Sequence, residues 1–147
     1  MKPKVMLIGD SIRMHCQSEI TRLLGNDFTV WGPEENCRFA KYTAKQLPSW
    51  LGLCGTPDLI HWNNGLWDTS HVYAEDGPFT PLDEYLRYMA IILRELRKRC
   101  RNIIFATTTP VAEQHPNQKN SVINAYNQAI TAYLREQSIP INDLYTL

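Results

Sequence analysis

Long apolar runs are missing from this sequence: the longest hold about five residues, against roughly 20 for a membrane-spanning helix. The start, "MKPKVMLIG", is basic but carries too short an apolar stretch for a secretory leader and has no small-residue cleavage site. A cytoplasmic protein without a membrane partner is expected. Excess charge is missing too, with 15 Lys+Arg against 15 Asp+Glu. A nucleic-acid binder needs a basic stripe to displace counterions, so no nucleic-acid partner is expected. The one basic cluster, "RELRKRC" (94–100), reads as the solvated end of an amphipathic helix. Four cysteines (Cys16, Cys37, Cys54, Cys100) form no CxxC or zinc-ligand spacing, which points to reduced thiols and no metal. Neither GxGxxG nor GxxxxGK[ST] occurs, which argues against a nucleotide- or flavin-binding domain and leaves no cofactor expected.

What the 147 residues do contain is one domain's worth of alternating pattern. Apolar runs of strand length at 4–9, 28–32, 58–64, 102–109 and 139–143 alternate with helical periodicity at 12–24, 38–51, 82–99 and 121–135. Pro48 falls inside the second helical pattern and should kink or break it. A strand–helix alternation of this kind predicts an α/β protein, a three-layer α/β/α sandwich on a five-stranded parallel sheet. Ligands in such sheets collect at the carboxyl ends of the strands. That rule gathers loops 9–12, 32–38, 63–81, 107–118 and 142 onward along one edge.

Three stretches on that edge carry chemistry. "GDS" (9–11) follows the first strand and opens a helix, where backbone N–H groups and the helix dipole favour a developing oxyanion at Ser11. Asp and Ser are also ordinary N-caps, and capping is the competing reading. "PEENCRFAKYT" (33–43) enters the second helix, with backbone N–H groups near Cys37 and Arg38 directed at the same crevice. "DLIHWNNGLWD" (58–68) ends the third strand with two asparagines, costly there unless hydrogen-bonded and suited to donate to an oxyanion.

Together these stretches resemble the SGNH hydrolase superfamily, the GDSL-like esterases and lipases. The resemblance spans the chain through "GDSI", "ENCRFA", "HWNNGLWD", "TTTPV" and "IPINDLYTL", and is closest to a branch whose third block runs His-x-Asn-x-Gly-Leu-x-Asp. It implies a flavodoxin-like fold and a serine esterase acting on short-chain acyl esters, including carbohydrate O-acetyl groups. Ser11 is then the nucleophile and a backbone oxyanion donor. Asn63 supplies the oxyanion amide, with Asn64 as second choice. Cys37, or else Arg38, stands where the family's block-two glycine would donate its N–H. Asp10, Trp67 and His71 are expected to contact substrate, and Trp31, Trp62, Trp67 and Tyr73 would suit a sugar face.

The family's base lies in an Asp-x-x-His motif some ten to twenty residues after the segment matched by "IPINDLYTL". The catalytic His and Asp are therefore expected beyond Leu147, and the domain is expected to be incomplete at its C-terminus. Within the chain, His15, His71 and His115 are candidate substitutes, while His61 reads as a hydrogen-bonded structural residue and Asp143 is not read as the catalytic aspartate. The alternative to an esterase is a catalytically inactive binding module on the same fold, or a fragment lacking its base.

Overall fold

In the computed structural model, which describes residues 1–147, strands and helices alternate. They are β1 (Lys4–Ile8), α1 (Ser11–Leu24), β2 (Thr29–Trp31), α2 (Ala40–Cys54), β3 (Leu59–Trp62), α3 (Leu82–Arg97), β4 (Ile103–Ala106), α4 (Asn120–Glu136) and β5 (Ile141–Asn142). All five strands are parallel, in the order β2-β1-β3-β4-β5. Ile8 pairs with Trp62 and Trp62 with Phe105, so the three central strands end level and their exits share one edge. The α/β expectation holds.

Strand alternation sends successive residues to opposite faces, and the two faces differ. On one, Met6, Ile8, Ile60, Trp62 and Phe105 pack with Leu47 and Trp50 of α2, Met89 and Leu93 of α3, and Ile130 and Leu134 of α4 in a single buried cluster. Trp62 and Phe105 meet edge to face, centroids 5.2 Å apart. On the other, Leu7 and His61 face Ile12, Cys16 and Ile20 of α1 across a cavity of about 370 Å³. No residue of α1 is fully buried.

α2 departs from the sequence expectation at both ends. It starts at Ala40 and not at residue 38, because Arg38 has φ 55° and Phe39 is extended at ψ 157°. It also runs unbroken through Pro48 to Cys54. Pro48 sits at an exposed position while Leu47, Trp50, Leu51 and Cys54 anchor the turns on both sides in the core. The carbonyl that proline leaves without a donor can reach water there, and core packing holds the helix together.

The long connection 65–81 contains one 3₁₀ turn, Ala74–Asp76, and is tied down elsewhere. Thr80 N–H donates to Asp68 O (3.0 Å), Phe79 N–H to Ser70 O (2.8 Å) and His71 N–H to Asn117 O (2.7 Å). No helix is long and apolar enough to cross a membrane. The four cysteines are free thiols, Cys16 exposed and the others buried.

Candidate active site

Chain direction fixes the first element of the site. β1 ends at Ile8, and Asp10 takes the N-cap of α1, its Oδ1 accepting from Ile12 N–H at 2.9 Å. That assigns the capping role to Asp10 and leaves Ser11 as the first helical residue with its hydroxyl free of any hydrogen bond within the chain. As a first-turn residue, Ser11 also has no intrahelical acceptor for its N–H. Asp10, expected at the substrate, is only 6% exposed and serves as the cap; burial raises its pKa against the opposing pull of the Ile12 N–H and of Arg13.

The two asparagines after β3 have opposite fates. Asn64 continues the inward row of Ile60 and Trp62 and is buried. Its Oδ1 accepts from Trp62 Nε1–H (2.8 Å), and its Nδ2 donates to Thr43 Oγ1 (2.8 Å) and Arg38 O (3.3 Å). Tyr85 O–H donates to Asn64 O at 2.6 Å. Every polar group of that side chain is spent on structure, so Asn64 is not a free oxyanion donor. Asn63 continues the row of His61 and lines the cavity on the α1 side with Gly9, Asp10 and Thr107 to Thr109. Its Nδ2 donates to Ala106 O (2.8 Å) and, at the longer distance of 3.3 Å, to Thr108 Oγ1.

The loop after β2 changes the expectation for the backbone donor. Cys37 N–H, the first choice, is spent on Gly9 O (3.2 Å), a main-chain acceptor. Cys37 itself is fully buried, and burial pushes its thiol pKa up. Arg38 N–H donates to Asn36 Oδ1 at 2.8 Å, a half-buried side chain that can rotate away. The φ of 55° at Arg38 is the left-handed region that glycine ordinarily fills. Arg38, and not Cys37, therefore occupies the backbone conformation matching a glycine position.

Residues to which the sequence assigned no role hold these loops. Asp68 lies 28 positions from Ala40 yet caps α2, both carboxylate oxygens 3.2 Å from Ala40 N–H. Phe39, the formal N-cap, offers no side-chain acceptor. Burial pushes the Asp68 carboxyl up to about 7, with Glu84 adding repulsion and the Thr80 and Ala40 hydrogen bonds opposing. Asn127 of α4 clasps the Thr108 backbone, its Oδ1 accepting from N–H and its Nδ2 donating to C=O, both at 2.9 Å. Asn120 does the same for Val111. Polar residues on the inner face of α4 were the only sequence signal for these clasps.

None of the four histidines hydrogen-bonds to Ser11. His61 Nε2 lies 3.2 Å from Asn142 Nδ2, and burial lowers its pKa, in keeping with a structural residue. His115 Nδ1 accepts from Asn117 N–H (3.1 Å) in its own exposed loop. His15 is exposed on α1. His71 is half-buried, with Nδ1 enclosed and unpartnered. Asp143 is exposed, and its carboxylate accepts from Thr107 Oγ1–H (3.1 Å) and Thr146 Oγ1–H (2.7 Å), which hold its pKa down. Trp67 is half-buried and meets Phe39 edge-on at 5.0 Å. Trp62, one of the aromatics expected at a sugar face, is fully enclosed in the core. No cluster of three or more His, Cys, Asp or Glu side chains is placed to hold a metal ion.

A Ser-bearing helix start, an asparagine from the next central strand and a block-two loop thus converge at the carboxyl edge of a 2-1-3-4-5 sheet. No family model and no curated protein sequence matches the chain. Solved structures do. An acetyl xylan esterase superposes with TM-score 0.75 at 17% identity, covering 97% of this chain and 78% of that one. A GDSL-like lipase from Bacteroides thetaiotaomicron gives TM-score 0.72 at 16% identity, over 95% of this chain and 67% of that one. The fold is that of the SGNH hydrolases. An acetylxylan esterase from Geobacillus stearothermophilus shares the SGNH fold as well, with TM-score 0.74 at 14% identity, over 98% of this chain and 77% of that one.

Proposed function

We propose that the protein is a serine ester hydrolase with Ser11 as nucleophile. The observation that carries this reading is the division of labour at the first strand–helix junction. Asp10 supplies the cap, so the Ser11 hydroxyl and N–H are both left unpartnered at the edge where SGNH-fold loops meet. Ser11 Oγ attacks the ester carbonyl carbon, its proton passing to a histidine imidazole, the base that the resemblance implies, as the carbonyl π bond opens onto the oxygen. Collapse expels the alcohol, which takes up that proton. Water then attacks the acyl-serine ester, giving the free acid and restoring Ser11.

We assign three donors to the developing oxyanion: Ser11 N–H, the Asn63 amide on releasing its 3.3 Å bond to Thr108, and Arg38 N–H on releasing Asn36. Such a donor contributes about 10²–10³ in rate where it has been measured in enzymes. A small acyl ester is favoured, carried on a carbohydrate. Supporting that class, acetyl xylan esterases share the fold, and an aromatic surface adjoins the block-two loop. In it Phe39 stacks on the exposed Phe79 with centroids 4.5 Å apart and meets Trp67 edge-on. In this reading Trp67 and His71, on the neighbouring loop, contact the alcohol portion of the substrate.

A second reading, a non-catalytic binding module on the SGNH fold, is favoured by one observation: no histidine of the chain is bonded to Ser11. Reaction with a fluorophosphonate, followed by peptide mapping, separates the two. The esterase reading expects a covalent adduct on Ser11 that Ser11→Ala abolishes; the binding-module reading expects none.

A further inference from the structure

The Arg13 side chain lies under both loops of the proposed site, although it belongs to no block of the resemblance. One helical turn past Gly9, its guanidinium reaches three main-chain carbonyls from two loops. Nη1–H donates to Pro33 O (2.9 Å), Nη2–H to Glu35 O (2.7 Å), and Nε–H, at 3.4 Å, to Gly9 O. Gln17 Oε1 accepts a further bond from Nη1–H at 2.7 Å, while Nη2 lies 3.8 Å from Cys37 Sγ. Gly9 O is also the acceptor for Cys37 N–H, so the nucleophile turn and the block-two loop meet at that oxygen.

Two glycines make the room. A Cβ on Gly9 would sit 2.7 Å from Arg13 Cβ, and one on Gly32 would run into the Gln17 amide and lie 3.0 Å from Arg13 Nη1. A planar fork of five N–H donors can satisfy several carbonyls at fixed spacing, which a lysine ammonium on its flexible stem cannot. The half-buried carbonyls of Pro33 and Glu35 would otherwise compete for water and let residues 33–38 drift.

We propose that Arg13 is a positioning residue that sets the distance between Ser11 and the Arg38 N–H by locking the 33–37 backbone onto the start of α1. Arg13 touches no reacting atom; it acts through the loop. The assignment rests on the serine hydrolase reading above, and its effect belongs to the transition state. An oxyanion donor displaced by about 1 Å costs on the order of 10²-fold in rate.

The test compares wild type, Arg13→Lys and Arg13→Met for the rate of fluorophosphonate labelling at Ser11, together with amide hydrogen exchange across residues 33–38. Labelling should slow at least tenfold in Arg13→Met and by less in Arg13→Lys. The Cys37 amide should exchange at least tenfold faster in Arg13→Met, while the amides of β3 and β4 keep their protection and report an intact fold. Wild-type labelling rates in Arg13→Met would overturn the positioning role. A wild-type protein that never labels at Ser11 would instead overturn the hydrolase reading. In that case the exchange data decide the clamp alone, and unchanged Cys37 protection in Arg13→Met overturns it. If both Arg13 variants lose protection in β3 and β4, a Gln17→Ala variant, which removes only the brace on Nη1, should slow labelling by a smaller factor with the sheet intact. No slowing there overturns the proposal.

Discussion

The two faces of the sheet are built to different standards. Towards α2, α3 and α4 the strands present Ile60, Trp62 and Phe105, all fully buried, and even the polar Asn64 and Asp68 are sealed in with matched partners. Towards α1 the same strands present Leu7, His61 and Asn63 to a helix with no fully buried residue and a cavity of about 370 Å³. Stability is concentrated on the first face, and the cavity that Asn63 lines lies on the second. Adjacent residues therefore do different work: Asn64 holds the fold, and Asn63, one pleat away, lines the cavity.

Core truncation should show the largest contrast. Trp62→Ala or Phe105→Ala is expected to destabilise by about 3–5 kcal/mol, against roughly 1 kcal/mol for Ile20→Ala on α1, where little close packing is lost. Chemical denaturation of the three variants checks this, and equal losses would erase the distinction between the faces.

Asp68 gives the next effect, through pH. Its folded pKa of about 7 lies above the unfolded value near 3.8, so between those limits the folded state holds the extra proton. Stability is then highest below pH 4 as far as this group is concerned and falls as pH rises towards 7, by at most roughly 4 kcal/mol. Asp68→Asn keeps an oxygen for Ala40 N–H and carries no charge, so it should flatten the pH profile and be more stable than wild type at pH 8. Asp68→Ala should lose the cap as well and be less stable than Asp68→Asn throughout. Melting curves from pH 4 to pH 8 check both.

The asparagine pair gives the sharpest comparison at the smallest cost in stability. Asn64→Ala strands the Trp62 indole N–H and Thr43 and should cost about 1–3 kcal/mol. Asn63→Ala should cost less than 1 kcal/mol yet slow Ser11 labelling by about 10²–10³. The reverse order in either property would move the site to the other face.

Much of this was legible in the sequence. Apolar runs of strand length and period-3.6 patterns located the five strands and four helices, and the Gly9-Asp10-Ser11 break marked the junction that the structure confirms as a strand–helix turn. The face of each asparagine was also readable in principle, since Ile60, Trp62 and Asn64 fall on one row and His61 and Asn63 on the other. What the sequence hid are contacts between residues far apart along the chain. Asp68 caps a helix that starts 28 residues earlier, and Arg13 reaches loop carbonyls 20 and 22 residues away. Pro48 was misleading for a related reason: local propensity disfavours helix there, and the core contacts of Leu47 and Trp50 override it.

The most direct test of the central claim is the mass of the protein after exposure to a fluorophosphonate, with the adduct mapped by peptide sequencing. A single adduct on Ser11, lost in Ser11→Ala and slowed at least a hundredfold in Asn63→Ala, is the predicted result. No adduct on folded protein, or an adduct that persists in Ser11→Ala, would contradict the assignment of Ser11 as nucleophile.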